Sequence, residues 1–447
     1  MNSFVVRPCS ACRGEIILPG DKSIAHRAVI LSSLSRGPTR IENFPDNEDC
    51  LATLDVFKRL GVRIKWAGTK RKRYVIVSGA GLRGLKRPKG PIFIGESGTT
   101  FRLLLGVLAG QEFRIKLTAG KSLSKRPMAR VTKPLRMMGA KIDSRLRTQN
   151  SKQEEYPPIT IRGGNLKAIT YKMPIASAQV KSAILLAALY AKGKSTVIEP
   201  ISTRDHTERM LKLFKSNLQV KGNKITIEGN KELASPKKFY VPGDISSAAF
   251  FMVAAAVTPN SKIVIRNVSL NPTRVGILKV LKRMRADIRL RAPSSELRAK
   301  IGEPVGDIII KSSSLKGTKV SRKEIPSLID ELPILMVAAS LARGKSIFQG
   351  VGELRVKETD RIKSMTENLK KMGAEIRTVK ALGNENIVIK GINKFRGARV
   401  KSFGDHRTAM SMIVAGLSAK SPTLIDDTSC IKKSFPDFIR VLKSIEE

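Results

Sequence analysis

The chain has 447 residues, 41% of them hydrophobic, enough for two or three domains of ordinary size with real cores. It carries 83 Lys and Arg against 37 Asp and Glu, a formal net charge of +46, so anions are its natural partners. No run of about 18 apolar residues is present for a membrane span, and one Trp and five Tyr offer little for stacking on bases, so neither a membrane nor a specific nucleic acid is expected.

The opening segment "MNSFVVRPCSACRGE" lacks the uninterrupted apolar run of a signal peptide, and a cytoplasmic location is expected. Cys9 and Cys12 form a C-x-x-C pair, and Cys50 and Cys430 complete the cysteines, too few for a disulfide framework. No second C-x-x-C, C-x-x-H or redox-type helix pattern accompanies the pair, so neither a metal nor a redox role is expected for it.

From "SIAHRAVILSSLSRG" onward one unit recurs six times. It begins with a helix of small and apolar residues, then a turn, a short β-branched strand, a polar loop, an amphipathic helix and a turn into another strand. The later copies open at "SGTTFRLLLGVLAG", "SAQVKSAILLAALYA", "ISSAAFFMVAAAV", "DELPILMVAASLARG" and "DHRTAMSMIVAGLSA". The first helix of each unit is apolar nearly all round and should be buried, whereas the second, as in "RIKSMTENLKKM", should lie outside. Six such units exceed one core, so two lobes of three units are predicted, dividing near "KKFYVPGDISS". The strand before "PGDKS" reads as the missing part of the sixth unit, which puts residues 1–20 with 245–447 in one lobe and 21–244 in the other.

Polar residues gather at the starts of the buried helices: "GDKSIAHR", "GESGTTFR", "ASAQVKS", "GDISS" and "GDHRTA". Ser23, Ser97, Ser177 and Ser246 could each be a helix cap. Capping does not require Arg27, Arg102 and Arg407 at these places, and several helix starts with cations beside them would trap anions. The loops before the amphipathic helices add Lys125, Arg126, Arg204, Arg355, Lys357, Arg361, Lys432 and Lys433. Only "IPSLIDELP", with Asp330 and Glu331, and "RVKETDR", with Glu358 and Asp360, set carboxylates there without an evident capping task. Each could move a proton, or simply pair with a neighbouring arginine.

In order and spacing, "LPGDKSIAHRA", "SGTTFRLL", "SLSKRPM", "SAQVKSAILLA", "RDHTERML", "PGDISSAAFF", "LIDELPILMVAA", "LRVKETDRI" and "GDHRTAMS" resemble the motifs of the 5-enolpyruvylshikimate-3-phosphate synthases, or 3-phosphoshikimate 1-carboxyvinyltransferases, over essentially the full length. The resemblance implies an α/β (α+β) enolpyruvyl transferase fold of two lobes, each with three βαβαββ-type units. It implies transfer of the enolpyruvyl group of phosphoenolpyruvate to the 5-hydroxyl of shikimate 3-phosphate, with release of phosphate and no metal or other cofactor. By motif match, Lys22, Ser23, Arg27, Ser177, Ala178, Gln179, Ser202, Arg204, Asp330 and Lys357 would contact shikimate 3-phosphate. Lys22, Gly98, Arg126, Gln179, Arg361, Arg407 and Lys433 would contact phosphoenolpyruvate. Asp330 would take the proton of the 5-hydroxyl, Glu358 would protonate the methylene carbon, and Lys22 would hold charge as it moves. A monomer whose lobes close on the two small anions is expected.

Two residues depart from the family's usual pattern: Glu96 where Asn is common, and Lys121 where Asp is frequent. Glu96 is expected either to pair with Arg102 or Arg126 or to face solvent. The nearest alternative is a UDP-N-acetylglucosamine enolpyruvyl transferase, which typically has Lys-Asn in place of Lys22-Ser23 and often a reactive cysteine in the loop that here reads "LTAGKSLSKRPM". A more remote one is an RNA-binding or RNA 3'-phosphate cyclase-like protein, supported by charge and by related repeats.

Overall fold

A computed structural model describes residues 3–69, 73–149, 152–292, 302–381 and 384–447. The chain divides into two units, one of Met1–Pro19, Pro242–Ala299 and Pro304–Glu447, the other of Gly20–Val241 with Lys300–Glu303. Each has its own hydrophobic core.

The second of these units holds three helix pairs: α1 (Lys22–Leu34) with α2 (Glu48–Arg59), α3 (Gly98–Leu108) with α4 (Ala129–Met137), and α5 (Ala178–Ala188) with α6 (His206–Leu213). The unit with both termini holds α7 (Ile245–Val257) with α8 (Gly276–Arg283), α9 (Leu332–Ser340) with α10 (Arg361–Lys371), and α11 (His406–Leu417) with the short α12 (Phe438–Lys443). The first helix of each pair is the apolar one. In α7, "ISSAAFFMVAAAV", twelve residues from Ile245 to Ala256 are buried, because small side chains let neighbours close in on every face. In α8 the buried set is a stripe of Gly276, Ile277, Leu278, Val280 and Leu281, and its basic residues point away.

Each pair is served by a small mixed sheet. The strand Lys262–Ser269 pairs antiparallel with Val305–Lys311 and parallel with Arg13–Ile17, so the N-terminal segment completes the sheet of the fourth repeat. Phe4–Val6 runs antiparallel to Thr423–Ile425 and completes the sixth. In the other unit Leu233–Ala234 and Lys238–Tyr240 pair parallel with Ser35–Glu42 and close the sheet of the first repeat. Alternation sets the faces: Ile263 and Ile265 point into the core, while Lys262 points out.

One glycine governs a close approach that matters for the site. A Cβ on Gly106 of α3 would lie 2.2 Å from the carbonyl oxygen of Ala183 in α5. With hydrogen there instead, the two helices touch backbone to backbone, and the residues at their starts meet.

Candidate active site

In the Gly20–Val241 unit, α1 begins at Asp21, whose side chain accepts a hydrogen bond from the Ile24 N–H at 3.0 Å. Ser23 is therefore not the cap, contrary to one sequence expectation, and lies half-buried in the first turn. Lys22 Nζ donates to Asp49 Oδ2 at 2.8 Å. Arg27, one turn on, is 4% exposed. It donates to Thr207 Oγ1 at 2.6 Å, Ser182 Oγ at 2.8 Å and the Ser23 carbonyl at 2.8 Å. These acceptors are all neutral. Burial brings the Arg27 pKa down to about 10; Glu208 pulls the other way and the nearby Arg204 adds to the fall. A buried guanidinium held by neutral partners, with a second arginine close by, favours a bound anion. Ser202 is exposed and Arg204 half-buried in the loop before α6.

Ser97 and Ser177 do cap their helices, accepting from the N–H groups of Thr100 at 3.3 Å and Val180 at 3.4 Å. Ala178 is the first residue of α5, and Gln179 follows it. Gln179 reaches across to α3, where its amide donates to Thr99 Oγ1 at 2.9 Å and its oxygen accepts from Arg102 Nη1 at 2.7 Å. A Cβ on Gly98 would fall 2.9 Å from Arg126 Nη1 and 3.1 Å from Arg102 Nη1. The start of α3 thus sits against two guanidinium groups, with room kept by glycine.

Glu96 overturns both expectations made for it. Its carboxylate accepts from the backbone N–H groups of Ser122 at 3.1 Å and Leu123 at 2.8 Å, so its partners are neither an arginine nor bulk solvent. The acid caps the 3-10 turn Leu123–Lys125, just ahead of Arg126.

In the unit with both termini, Arg361 is the centre. It is 1% exposed, and its three nitrogens reach three carboxylates: Asp405 Oδ2 at 2.9 Å, Glu358 Oε2 at 2.6 Å and Asp330 Oδ1 at 3.5 Å. Burial alone would lower its pKa, but Asp405, Glu358 and Asp330 together hold it above the usual arginine value. Asp405 also caps α11, accepting from the Arg407 N–H at 2.8 Å and the Thr408 N–H at 3.1 Å. Arg407 donates to the Asp330 carbonyl at 3.0 Å and brings Nη2 within 3.8 Å of Asp330 Oδ2. Lys433 Nζ donates to the Gly404 carbonyl at 3.3 Å, and Lys357 is half-buried beside Glu358 in sequence. So the structure gathers Asp330, Glu358, Arg361 and Arg407.

Asp360 and Glu331 have other work. Asp360 caps α10 through the Lys363 N–H at 3.0 Å, so it does have a capping task. Glu331 is fully buried, accepting from Ser246 Oγ with Arg274 Nη2 at 3.7 Å. At "GDISS" the cap is Asp244 and not Ser246, which supplies its N–H to that carboxylate at 2.7 Å.

Sequence reasoning had not singled out Asp49, Ser182, Thr207, Asp405 or Arg274. Asp405 left a signal, since an Asp directly before a buried helix is a capping position. The others meet their partners only through the fold. Among the described residues no group of three or more His, Cys, Asp and Glu could hold a metal ion, and no helix is long and apolar enough to cross a membrane.

A family model described as EPSP synthase (3-phosphoshikimate 1-carboxyvinyltransferase) matches residues 6–442. The 3-phosphoshikimate 1-carboxyvinyltransferase of Desulforamulus reducens is 48% identical over 442 residues, 99% of each chain. That of Bacillus pumilus is 46% identical over 426 residues, 95% of each. Among solved structures, the EPSP synthase of Acinetobacter baumannii superposes with a TM-score of 0.85 at 42% identity, covering 99% of this chain and 98% of that one. The enolpyruvyl transferase NikO of Streptomyces tendae shares the fold with a TM-score of 0.74 at 14% identity, over 99% of this chain and 97% of its own.

Proposed function

The chain belongs to the EPSP synthase (3-phosphoshikimate 1-carboxyvinyltransferase) family, and from that premise we propose how its own residues divide the reaction between them. The reaction transfers the enolpyruvyl group of phosphoenolpyruvate to the 5-hydroxyl of shikimate 3-phosphate and releases phosphate. Both substrates are small anions with a phosphate and a carboxylate, which suits buried arginines and capped helix starts.

Shikimate 3-phosphate is held by Lys22, Ser23, Arg27, Ser177, Ala178, Gln179, Ser202 and Arg204, with Asp330 and Lys357 near the hydroxyl that reacts. Arg27 supports this reading most directly on that side, since its hydrogen bonds leave its charge without a carboxylate partner. Phosphoenolpyruvate is held by Lys22, Gly98, Arg126, Gln179, Arg361, Arg407 and Lys433. Arg407 has five N–H groups and spends few of them on Asp330, which leaves donors for the substrate carboxylate.

Asp330 removes the proton of the 5-hydroxyl as its oxygen attacks C2 of phosphoenolpyruvate. Glu358 protonates C3, giving a tetrahedral ketal phosphate. In the second step a proton leaves the new methyl group, the C2–O bond to phosphate breaks, and phosphate departs, while Lys22 and the arginines stabilise the moving charge. The single observation behind the assignment of the two carboxylates is their common anchor, Arg361, which holds Asp330 and Glu358 by different nitrogens of one buried guanidinium.

Rapid quenching of a single turnover tests the order of events. A species that carries both carbon skeletons and still bears the phosphate of the donor is expected before free phosphate appears. Phosphate released before the skeletons are joined would refute addition followed by elimination.

A further inference from the structure

The C-x-x-C pair of the N-terminal segment takes no part in this chemistry, yet it has an organised setting. Cys9 Sγ lies 3.7 Å from Cys12 Sγ. Cys12 is fully buried; Cys9 is half-buried on the wall of a cavity of about 510 Å³ in the unit with both termini. Other walls bring Ser10, Ser313 and Asn393 together with the cationic Arg343 and Lys394. The C-terminal ends of α7, α9 and α11 reach the same cavity at Val257, Leu341 and Leu417; helix carbonyl ends disfavour a thiolate, whereas cations on the same walls favour an anion in the cavity.

A second observation points to the sulfurs. Thr258 is fully buried, and its hydroxyl lies close enough to both cysteines to lower the pKa of each by hydrogen bonding. The hydrogen bond from Cys12 lowers the Cys9 pKa, against burial and the Glu446 carboxylate. By the same bond, and by burial, Cys12 is raised. The two thiols are therefore unlike: one cavity-facing and readier to ionise, one buried and held protonated behind it. Their backbone is fixed, with the Cys9 N–H on the Leu417 carbonyl at 3.1 Å and the Cys12 N–H on Ser261 Oγ at 2.8 Å.

We propose that Cys9 is a thiol–disulfide exchange site that accepts a small anionic disulfide in this cavity, and that Cys12 is its resolving thiol. The Cys9 thiolate attacks one sulfur of the small disulfide; that S–S bond breaks, a mixed disulfide forms on Cys9, and the other half leaves as a thiolate. Cys12 then gives up its proton to the departing thiolate and attacks the Cys9 sulfur, breaking the mixed disulfide and releasing the second half. Two protein thiols are oxidised to one disulfide, and one small disulfide is reduced to two thiols. Side-chain rotation brings the sulfurs from 3.7 Å to about 2.05 Å. Arg343 and Lys394 select an anionic disulfide. Cys50 and Cys430 serve as internal controls: burial raises both thiols, Cys430 to about 12.

The full-length protein is incubated with oxidised glutathione and mapped by mass spectrometry. A Cys9–Cys12 disulfide is expected in the wild type, a stable glutathionyl adduct on Cys9 in Cys12→Ser, and no change at Cys12 in Cys9→Ser. Alkylation of the wild type needs no variant, and Cys9 should react at least about tenfold faster than the other three cysteines. Cystamine, a cationic disulfide, should react several-fold more slowly than oxidised glutathione at low salt. Equal alkylation of all four cysteines, or no disulfide with oxidised glutathione, would show the pair to be packing residues only. A mixed disulfide that persists on Cys9 in the wild type would remove Cys12 as resolver, and equal rates with both disulfides would remove the preference for an anion.

Discussion

Asp330 and Arg361 stand 3.5 Å apart, the carboxylate half-buried and the guanidinium wholly so, and the same guanidinium holds Glu358 at 2.6 Å. An ion pair and a catalytic carboxylate are often weighed as rival explanations. In the proposed mechanism one serves the other, because a group that must meet a particular proton has first to be held in place.

Asp330→Asn keeps the size and the hydrogen-bonding reach of the side chain but removes the proposed base. Turnover should fall by at least about a hundredfold while both substrates still bind. Calorimetric titration of the two ligands beside steady-state phosphate release separates the effects, and near-wild-type turnover would take Asp330 out of the mechanism.

Glu358→Gln should act on the other proton. With the acid gone, solvent deuterium should enter C3 of phosphoenolpyruvate at least about a hundredfold more slowly. Proton NMR of the donor in heavy water follows this directly, and unchanged exchange would assign the proton to another group.

Glu96→Gln loses a charged acceptor that satisfies two backbone N–H groups, at Ser122 and Leu123. A hydrogen bond to a charged group contributes about 1.5–3 kcal/mol, against about 0.5–1.5 kcal/mol for a neutral one, so the unfolding midpoint should drop accordingly. Because the partners are backbone groups and not a distant surface cation, the drop should persist at high salt. A midpoint equal to the wild type would mean that the cap contributes nothing.

His26 is fully buried, with Nδ1 2.6 Å from Thr53 Oγ1. Burial first, then the charges of Lys22 and Arg27, hold its pKa well below 6.5, with Asp21 opposing. Above pH 6.5 the ring is neutral folded or unfolded and contributes no pH dependence. Below it the unfolded chain takes up a proton that the folded chain refuses, so stability falls with falling pH until the folded-state pKa is reached. The unfolding constant should rise by up to about tenfold per unit of pH from this group. Denaturant titrations from pH 7.5 to 5 in His26→Asn should show a flatter dependence, and an identical slope would assign the acid sensitivity elsewhere.

Much of this molecule is legible in its sequence for a physical reason. A helix such as "AAFFMVAAA", apolar on every face, can only be buried, and six of them at regular spacing require a repeated architecture. Polar clusters at their starts mark the candidate site because helix ends need partners. What could not be read are pairings set by the path of the chain. Arg361 draws its carboxylates from positions 330, 358 and 405, and Glu96 finds its partners 26 and 27 residues away. Serine at a helix start also misleads when an aspartate precedes it, as Asp21 and Asp244 do before Ser23 and Ser246, since the first side chain able to reach the free N–H groups takes the cap.

The assignment as a whole is tested most directly by the initial rate of phosphate release from phosphoenolpyruvate with each of two acceptors. Shikimate 3-phosphate should support rapid release that needs Asp330, and UDP-N-acetylglucosamine should give no more than the rate without acceptor. Release that requires UDP-N-acetylglucosamine, or that proceeds at the same rate with no acceptor present, would contradict the account.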